Sequence, residues 1–282
     1  MTDWLADRFE ENRSHLQGVA YRMLGSLDDA EDAVQEAWLR LSRHESDGIE
    51  NLGGWLTTVV ARICVDTLRA RRAKREDPIE PHIPDFIVSR EESPEDEVLM
   101  ADSVGLALLV VLDSLTPPER LAFVLHDMFA MPFEEIASIV DRSPAAVRQL
   151  ASRARRRVQG ATPPNTGLAQ RRAVVDAFVA ATRAGDFEGL VTVLDPDVLL
   201  RADREPALRG VRGAQLVASQ AVGFAKVVAD MEPVLVNGSP GLVSWLPNGE
   251  PLSVMAFVIA RERISEIYVI SDRKRVKHLL GL

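Results

Sequence analysis

Val140–Val158 holds the densest set of side chains able to do chemistry in this chain. Arg148, Gln149, Ser152, Arg153 and Arg156 fall on one side of a helical projection, and Val147, Leu150, Ala151, Ala154 and Val158 on the other. Guanidinium and amide groups suit the edges of bases in the DNA major groove, and Arg142 just upstream is placed to touch phosphate. Ser143 is suited to cap the helix, and Pro144 fits its first position. Phe133, Ile136, Ala137 and Val140 form a second, shorter apolar face. Two short helices joined at Asp141-Arg142 make a helix-turn-helix, whose second helix fits the major groove. The chemistry implied is recognition of duplex DNA.

A second constellation lies earlier. Asp28, Asp29, Glu31, Asp32 and Glu36, with Gln35, make an acidic helix without a basic residue among them. Arg62, Arg69, Arg71, Arg72, Lys74 and Arg75 then make a basic helix end, with Trp55 and Asp66 on or beside it. Basic groups neutralise phosphates, and aromatic rings stack on unpaired bases. Taken alone, each has a plainer reading. An acidic helix is commonly a solvated face, and Arg69–Arg75 also favours the negative end of a helix dipole. Trp55 reads either as a packing residue at a helix start or as a DNA-facing ring. Trp38, on an apolar stripe, reads as core.

The elements that position these groups follow from periodicity. Leu16, Val19, Ala20, Met23 and Leu24 form one amphipathic face. Ala30, Ala33, Val34, Ala37, Trp38 and Leu41 form a second, and Leu56, Val59, Val60, Ile63 and Leu68 a third. Gly25–Asp28 breaks the first two helices, and Asn51-Leu52-Gly53-Gly54 introduces the third. Prolines at 78, 81, 84 and 94 and the acids of Glu91–Glu97 read as a linker. Those acids are expected to screen the basic DNA-facing surfaces. Thr116-Pro117-Pro118-Glu119 is a capped helix start. After the linker Gly160–Asn165, Arg171–Ala184 reads as a helix with Val174, Ala177, Phe178 and Ala181 on one face. Strand-like runs follow at Val198–Arg201, Val234–Asn237, Leu242–Leu246, Ser253–Ile259 and Ile264–Ile270, with Asn248-Gly249 as a hairpin signal.

The whole chain sets limits. Its 282 residues suffice for two or three domains, and 46% hydrophobic content supports folded cores. A net charge of −9 argues against a uniformly basic nucleic-acid binder and turns attention to local blocks. The single cysteine, Cys64, implies a reducing compartment and reads as a small buried side chain. No signal peptide is evident, no apolar run is long enough to span a bilayer, and the five histidines lack metal-ligand spacing. A cytoplasmic protein without cofactor or metal is expected.

Leu24–Glu36 resembles region 2 of bacterial sigma factors, as do Trp55-Leu56, Arg62 and Asp66-Thr67-Leu68-Arg69 with the following arginines. Leu115-Thr116-Pro117-Pro118-Glu119-Arg120 resembles the start of region 4, which the helix-turn-helix completes. Two such blocks without the other sigma regions resemble the extracytoplasmic-function group. Arg209–Gly213 and Val236–Gly241 resemble a SnoaL-like extension that a subgroup carries.

The resemblance implies two all-α sigma domains followed by an α+β, cone-shaped SnoaL-like barrel. The expected boundaries are 1–75 for region 2, 76–102 for the linker, 103–160 for region 4, 161–167 for a second linker and 168–282 for the barrel. It implies that Asp28, Asp29, Glu31, Asp32, Gln35 and Glu36 bind the clamp of the largest subunit of core RNA polymerase. Trp55, Arg62, Asp66, Arg69, Arg71 and Arg72, with the loop His44–Gly53, would melt and read the −10 promoter element. Arg142, Ser143, Arg148, Gln149, Ser152, Arg153 and Arg156 would read the −35 element. The protein is then not an enzyme, and its C-terminal domain acts in cis on the sigma domains, with room for a small ligand of unknown kind. Arg201, Asp203, Trp245 and His278 are the polar or aromatic candidates of that domain, without a spacing that ties them together. The chain departs from the subgroup at Asp141, where glycine is frequent. It departs again at Pro78–Pro84, at Asp203-Arg204-Glu205-Pro206 and at Ser271–Val276, where the subgroup's linker, glycine-rich and terminal motifs are replaced.

Overall fold

The computed structural model describes residues 2–43, 49, 51–74, 83–90, 105–161, 167–204 and 210–282. The chain divides into two compact units, Met1–Pro78 with Leu108–Ala161, and Ile79–Ala107 with Thr162–Leu282.

The first unit is helical. Helices α1 (Thr2–Leu24), α2 (Leu27–Arg43) and α3 (Leu52–Lys74) bring together the three apolar faces read from the sequence. Leu16, Val19, Met23, Ala33, Val34, Ala37, Leu41, Leu56, Val60 and Cys64 are all buried. Gly25 takes φ 70°, which a side chain resists, and so ends α1 where the pattern breaks. Asn51 Oδ1 accepts the Gly54 N–H at 3.0 Å and starts α3. Trp38 is half-buried, its ring 5.0 Å from that of Phe9.

Helices α4 (Leu106–Ser114), α5 (Pro117–Phe123), α6 (Phe133–Val140) and α7 (Pro144–Ala161) complete the unit. The Thr116 N–H and hydroxyl both donate to the Glu119 carboxylate, at 3.1 and 2.8 Å. Thr116 and Glu119 thus form the expected capping box. A π-helical turn, Val124–Met128, follows α5. Asp141 sits in the left-handed region (φ 55°, ψ 54°) at the end of α6 and makes the turn. Aspartate adopts that conformation more readily than most residues, so the turn forms without glycine. Ser143 Oγ then accepts the Ala146 N–H at 3.2 Å and caps α7.

The second unit is α+β. Its helices are α8 (Leu168–Ala184), α9 (Phe187–Val193), α10 (Ala214–Ala225) and α11 (Arg273–Leu279). Its strands are β1 (Val88–Ser89), β2 (Leu194–Ala202), β3 (Val211–Arg212), β4 (Asp230–Val236), β5 (Ser239–Trp245), β6 (Pro251–Ala260) and β7 (Arg263–Ile270). They form one sheet in the order β1-β4-β5-β6-β7-β2-β3, with β2 and β7 the parallel pair. One face of the sheet carries Leu242, Met255, Phe257, Ile259 and Ile267 against Val175, Phe178, Val217 and Ala218 of α8 and α10. The buried face of α8 is thus Val175, Phe178, Ala181 and Thr182, and Ala177 is exposed. Phe178 and Ala181 are buried as expected, whereas Val175 and Thr182 take the places of Val174 and Ala177, because the helix has apolar residues on more than one side.

Residues 83–90 differ from their reading as a connector. Val88 and Ser89 pair with Val236 and Leu235 as an edge strand, and Ile83 and Phe86 are buried. The segment between the two helical blocks is therefore stitched onto the C-terminal sheet. The acidic stretch Glu91–Glu97 lies outside the described residues.

Candidate polymerase and promoter interfaces

On α2, Asp28, Glu31, Asp32 and Gln35 are exposed along one face at helical spacing. Glu36 is half-buried and pairs with Arg40 at 2.9 Å. Asp29 turns inward, where its carboxylate receives Arg71 of α3. Arg71 also donates to the Leu24 carbonyl at 3.3 Å. One residue expected on the polymerase surface and one expected on DNA thus bind each other and tie α2 to α3.

On α3, Arg62, Asp66 and Arg69 are exposed on the side that also carries Trp55, which is half-buried. Arg62 reaches the Ser138 carbonyl at 3.5 Å, and Arg69 lies 3.6 Å from Asp66. The side chain of Arg72 and most of the loop His44–Gly53 lie outside the described residues.

Helix α7 carries the remaining set. Val147, Ala151, Ala154 and Val158 are buried, and Arg148, Gln149, Ser152, Arg153 and Arg156 are exposed opposite them. Arg142 and Ser143 are exposed at the turn, with Ser143 Oγ engaged as the cap. Arg148 is braced at 3.0 Å from Glu134, above the Phe133 ring. Two neighbouring arginines face elsewhere. Arg155 holds Asp127 at 2.5 Å, and Arg157 holds Glu119 at 3.0 Å. Burial pushes the Glu119 carboxyl up, but the Thr116 hydrogen bonds and the Arg157 and Arg153 charges outweigh it and hold the carboxyl below its ordinary value. The resulting surface presents cationic forks and an amide on a helix anchored on three sides.

Sequence reasoning passed over Arg120. Its side chain is 2% exposed, donates through Nε to the Arg22 carbonyl at 3.0 Å and pairs with Asp113 at 3.3 Å. It joins the start of region 4 to α1. The available signal was a cation directly followed by the apolar run Leu121–Leu125.

In the second unit the four candidates do not converge. Arg201 sits on the sheet face opposite its neighbours Leu200 and Ala202, beside Tyr268, its partner in the β2–β7 ladder. Burial, then the hydrogen-bonded Glu266, pushes the Tyr268 hydroxyl far up, so it stays protonated and donates to Glu266. Trp245 donates to Glu232 at 3.0 Å, and His278 is exposed on α11. Asp203 is a structural hub. It accepts the Ser271 N–H (2.8 Å), the Ser271 hydroxyl (2.9 Å) and the Asp272 N–H (3.1 Å), and lies 3.5 Å from Arg275. Arg275 in turn donates to Asp85 at 2.7 Å and to the Ile83 carbonyl at 2.9 Å, clasping the edge segment 83–90. The Ile87 N–H and carbonyl both bond Asn237, at 3.2 and 2.8 Å. A cavity of about 250 Å³ opens between α8, α10 and the sheet. Among the described residues no group of His, Cys, Asp and Glu side chains could hold a metal ion, and no helix is long and apolar enough to cross a membrane.

Residues 8–74 match the family model of Sigma-70 region 2, and residues 105–158 that of Sigma-70 region 4. The chain is 38% identical over 262 residues to the ECF RNA polymerase sigma factor SigJ of Mycobacterium tuberculosis H37Rv, covering 88% of this chain and 84% of that protein. A second M. tuberculosis protein of that description, SigI, is 34% identical over 280 residues, covering 95% and 93%. The crystal structure of the M. tuberculosis extracytoplasmic function sigma factor SigJ matches with a TM-score of 0.76 at 33% identity, over 96% of this chain and 97% of that one.

Proposed function

The chain belongs to the extracytoplasmic-function sigma factors, and from that premise we propose how its surfaces divide the work of starting transcription. Asp28, Glu31, Asp32 and Gln35 of α2 meet the clamp of the largest subunit of core RNA polymerase, with Glu36 at their edge and Asp29 behind them. Trp55, Arg62, Asp66 and Arg69, with Arg71 and Arg72, serve the −10 element. Arg142 and Ser143 at the turn, and Arg148, Gln149, Ser152, Arg153 and Arg156 on α7, serve the −35 element. Holding each base out of the stack costs a few kcal/mol, which the −10 face must offset by stacking and phosphate contacts. The protein works by binding, in the cytoplasm, and not by bond chemistry.

The observation that supports this reading most directly is the α7 face, where five polar side chains are exposed on a helix capped by Ser143 and buried along its other side. A run-off transcription assay with purified core polymerase tests it. Promoter-dependent transcript is expected from the wild type and not from a variant with Asp28, Glu31 and Asp32 replaced by Lys. If that variant still co-purified stoichiometrically with core polymerase, the assignment of the acidic ridge would fail.

The C-terminal unit regulates these activities in cis. The supporting observation is the clasp of Arg275 on Asp85 and Ile83, which holds the very segment that connects region 2 to region 4. A chain whose connector is docked has fewer ways to place its two DNA-reading faces on one promoter. Deleting Gly167–Leu282 is expected to change transcription, and unchanged output across several promoters would remove the idea.

A further inference from the structure

The cavity of the second unit has a chemistry that the clasp does not use. It measures about 250 Å³, and its wall is made of Phe178, Leu200, Val217, Met231, Met255 and Ile267 with further apolar neighbours. Its hydroxyl groups are committed to the fold. Thr182 Oγ1 donates to the Phe178 carbonyl at 2.7 Å, Ser253 Oγ is bonded to Ser244 Oγ at 2.5 Å, and Ser271 Oγ donates to Asp203. The one ionisable lining residue among those described is Arg204, which is exposed and paired with Asp272 at 3.1 Å. The backbone N–H of Arg275, then Arg204, hold the Asp272 carboxyl below its ordinary value, so it stays ionised as that partner.

General acid–base catalysis needs a titrating group within hydrogen-bond reach of the reacting atom. A nucleophile needs an adjacent base. The described lining supplies neither: Arg204 is paired with Asp272, and Asp203, which is not part of the lining, is spent on two backbone N–H groups and Arg275. A charged ligand body would be stranded without a partner in such a wall. A largely apolar wall whose hydroxyls are committed to the fold selects a neutral molecule, with any polar end left beside the exposed Arg204 and Gln220. Size follows by scaling. A dry apolar cavity of about 150 Å³ accepts benzene, so this one takes a compact molecule of about ten to twelve non-hydrogen atoms.

We propose that this cavity is a receptor site for a neutral, apolar small molecule of bicyclic-aromatic size. The proposal goes beyond the regulatory reading and does not depend on it, because binding is measured without transcription. Methyl-labelled methionine NMR on the full chain, titrated with 2-naphthol, provides the test. The chain has seven methionines, of which Met231 and Met255 line the cavity while Met23 and Met131 lie in the other unit. Methyl signals are assigned by single Met→Leu substitutions. Saturable shifts of Met231 and Met255 are expected, with Met23 and Met131 stationary, and Ala221→Trp, which fills the cavity from α10, should abolish them. No shift up to the solubility limit of 2-naphthol, equal shifts at Met23 and Met131, or undiminished shifts in a folded A221W would each overturn the proposal. Should A221W not fold, the wild-type contrast between the two methionine pairs decides alone.

Discussion

On α7, Arg148, Arg153 and Arg156 stand in solvent above a stripe of small apolar residues; on α5, Arg120 is 2% exposed and hydrogen-bonded to the backbone of another helix. The charge is the same and the use is opposite. An exposed guanidinium adds about 0–1 kcal/mol to the fold and keeps its donors for a partner. A buried one is costly to desolvate, and burial lowers its pKa despite Asp113. Once in place, it cannot be removed without stranding what it bonds. Arg275 lies between these limits, with 28% of its side chain exposed and its donors on Asp85 and Ile83. Arginines in this chain therefore sort by what lies behind them and not by the local sequence.

The contrast breaks most sharply at Arg120. Arg120→Ala is expected to cost about 3–5 kcal/mol of stability, measured by urea unfolding of the full chain. A loss under 1 kcal/mol would show that the buried pair is dispensable. Cys64 reports the same event. Burial pushes its thiol up to about 12, so native protein should resist iodoacetamide, and R120A should be labelled far faster.

Arg275→Ala should cost less, about 1.5–3 kcal/mol for a charged hydrogen-bonded tie. The informative readout is local. Hydrogen exchange at the Ile87 amide should accelerate while amides of α2 stay protected. Unaltered exchange at Ile87 would mean that Asn237 and β4 hold the segment without the clasp.

Arg148→Ala and Arg153→Ala sharpen the other side of the comparison. Each should weaken binding to a −35 duplex by about 1–3 kcal/mol if it reads a base. If it contacts phosphate instead, the salt slope should fall by about 0.9. Stability should stay within about 0.5 kcal/mol of wild type. A large stability loss with intact DNA binding would move these residues to the structural class.

The smallest effect concerns pH. The Glu119 carboxyl is held below its unfolded value of 4.5, so its contribution is fully present above that pH. It is lost as pH falls from there through the lower folded value. Glu119→Gln should flatten the acid limb of the stability curve in that window, and an identical acid limb would discount the Thr116 and Arg157 contacts.

Local pattern carried the helices and most strands. The two sides of α7 are in the order of its residues, and Asp141 took the left-handed turn that its short polar side chain permits. The hairpin at Asn248-Gly249 forms through a loop closed by Gly249 N–H on the Leu246 carbonyl. By contrast, Arg261-Glu262 turns β6 into β7 with both φ values positive, although neither residue signals it. There the flanking strands impose the turn. The edge strand at 88–89 was illegible for a related reason: it is short, preceded by prolines, and its stability comes from residues far along the chain. Among the residues expected to bind polymerase or DNA, Arg71 and Asp29 were legible as charges but not as partners of each other. A cavity leaves no local mark at all, since it arises from what several elements fail to fill.

Asn237, which anchors Ile87, comes 150 residues later in the chain. Ribosomes add roughly 5–20 residues per second, so the anchor emerges roughly 8–30 s after the segment it secures. The region 2 block is complete before that interval opens, and the region 4 block is completed within it. Every newly made molecule thus passes through a period with its connector unfastened, and the cis regulation we propose begins only when the last domain folds.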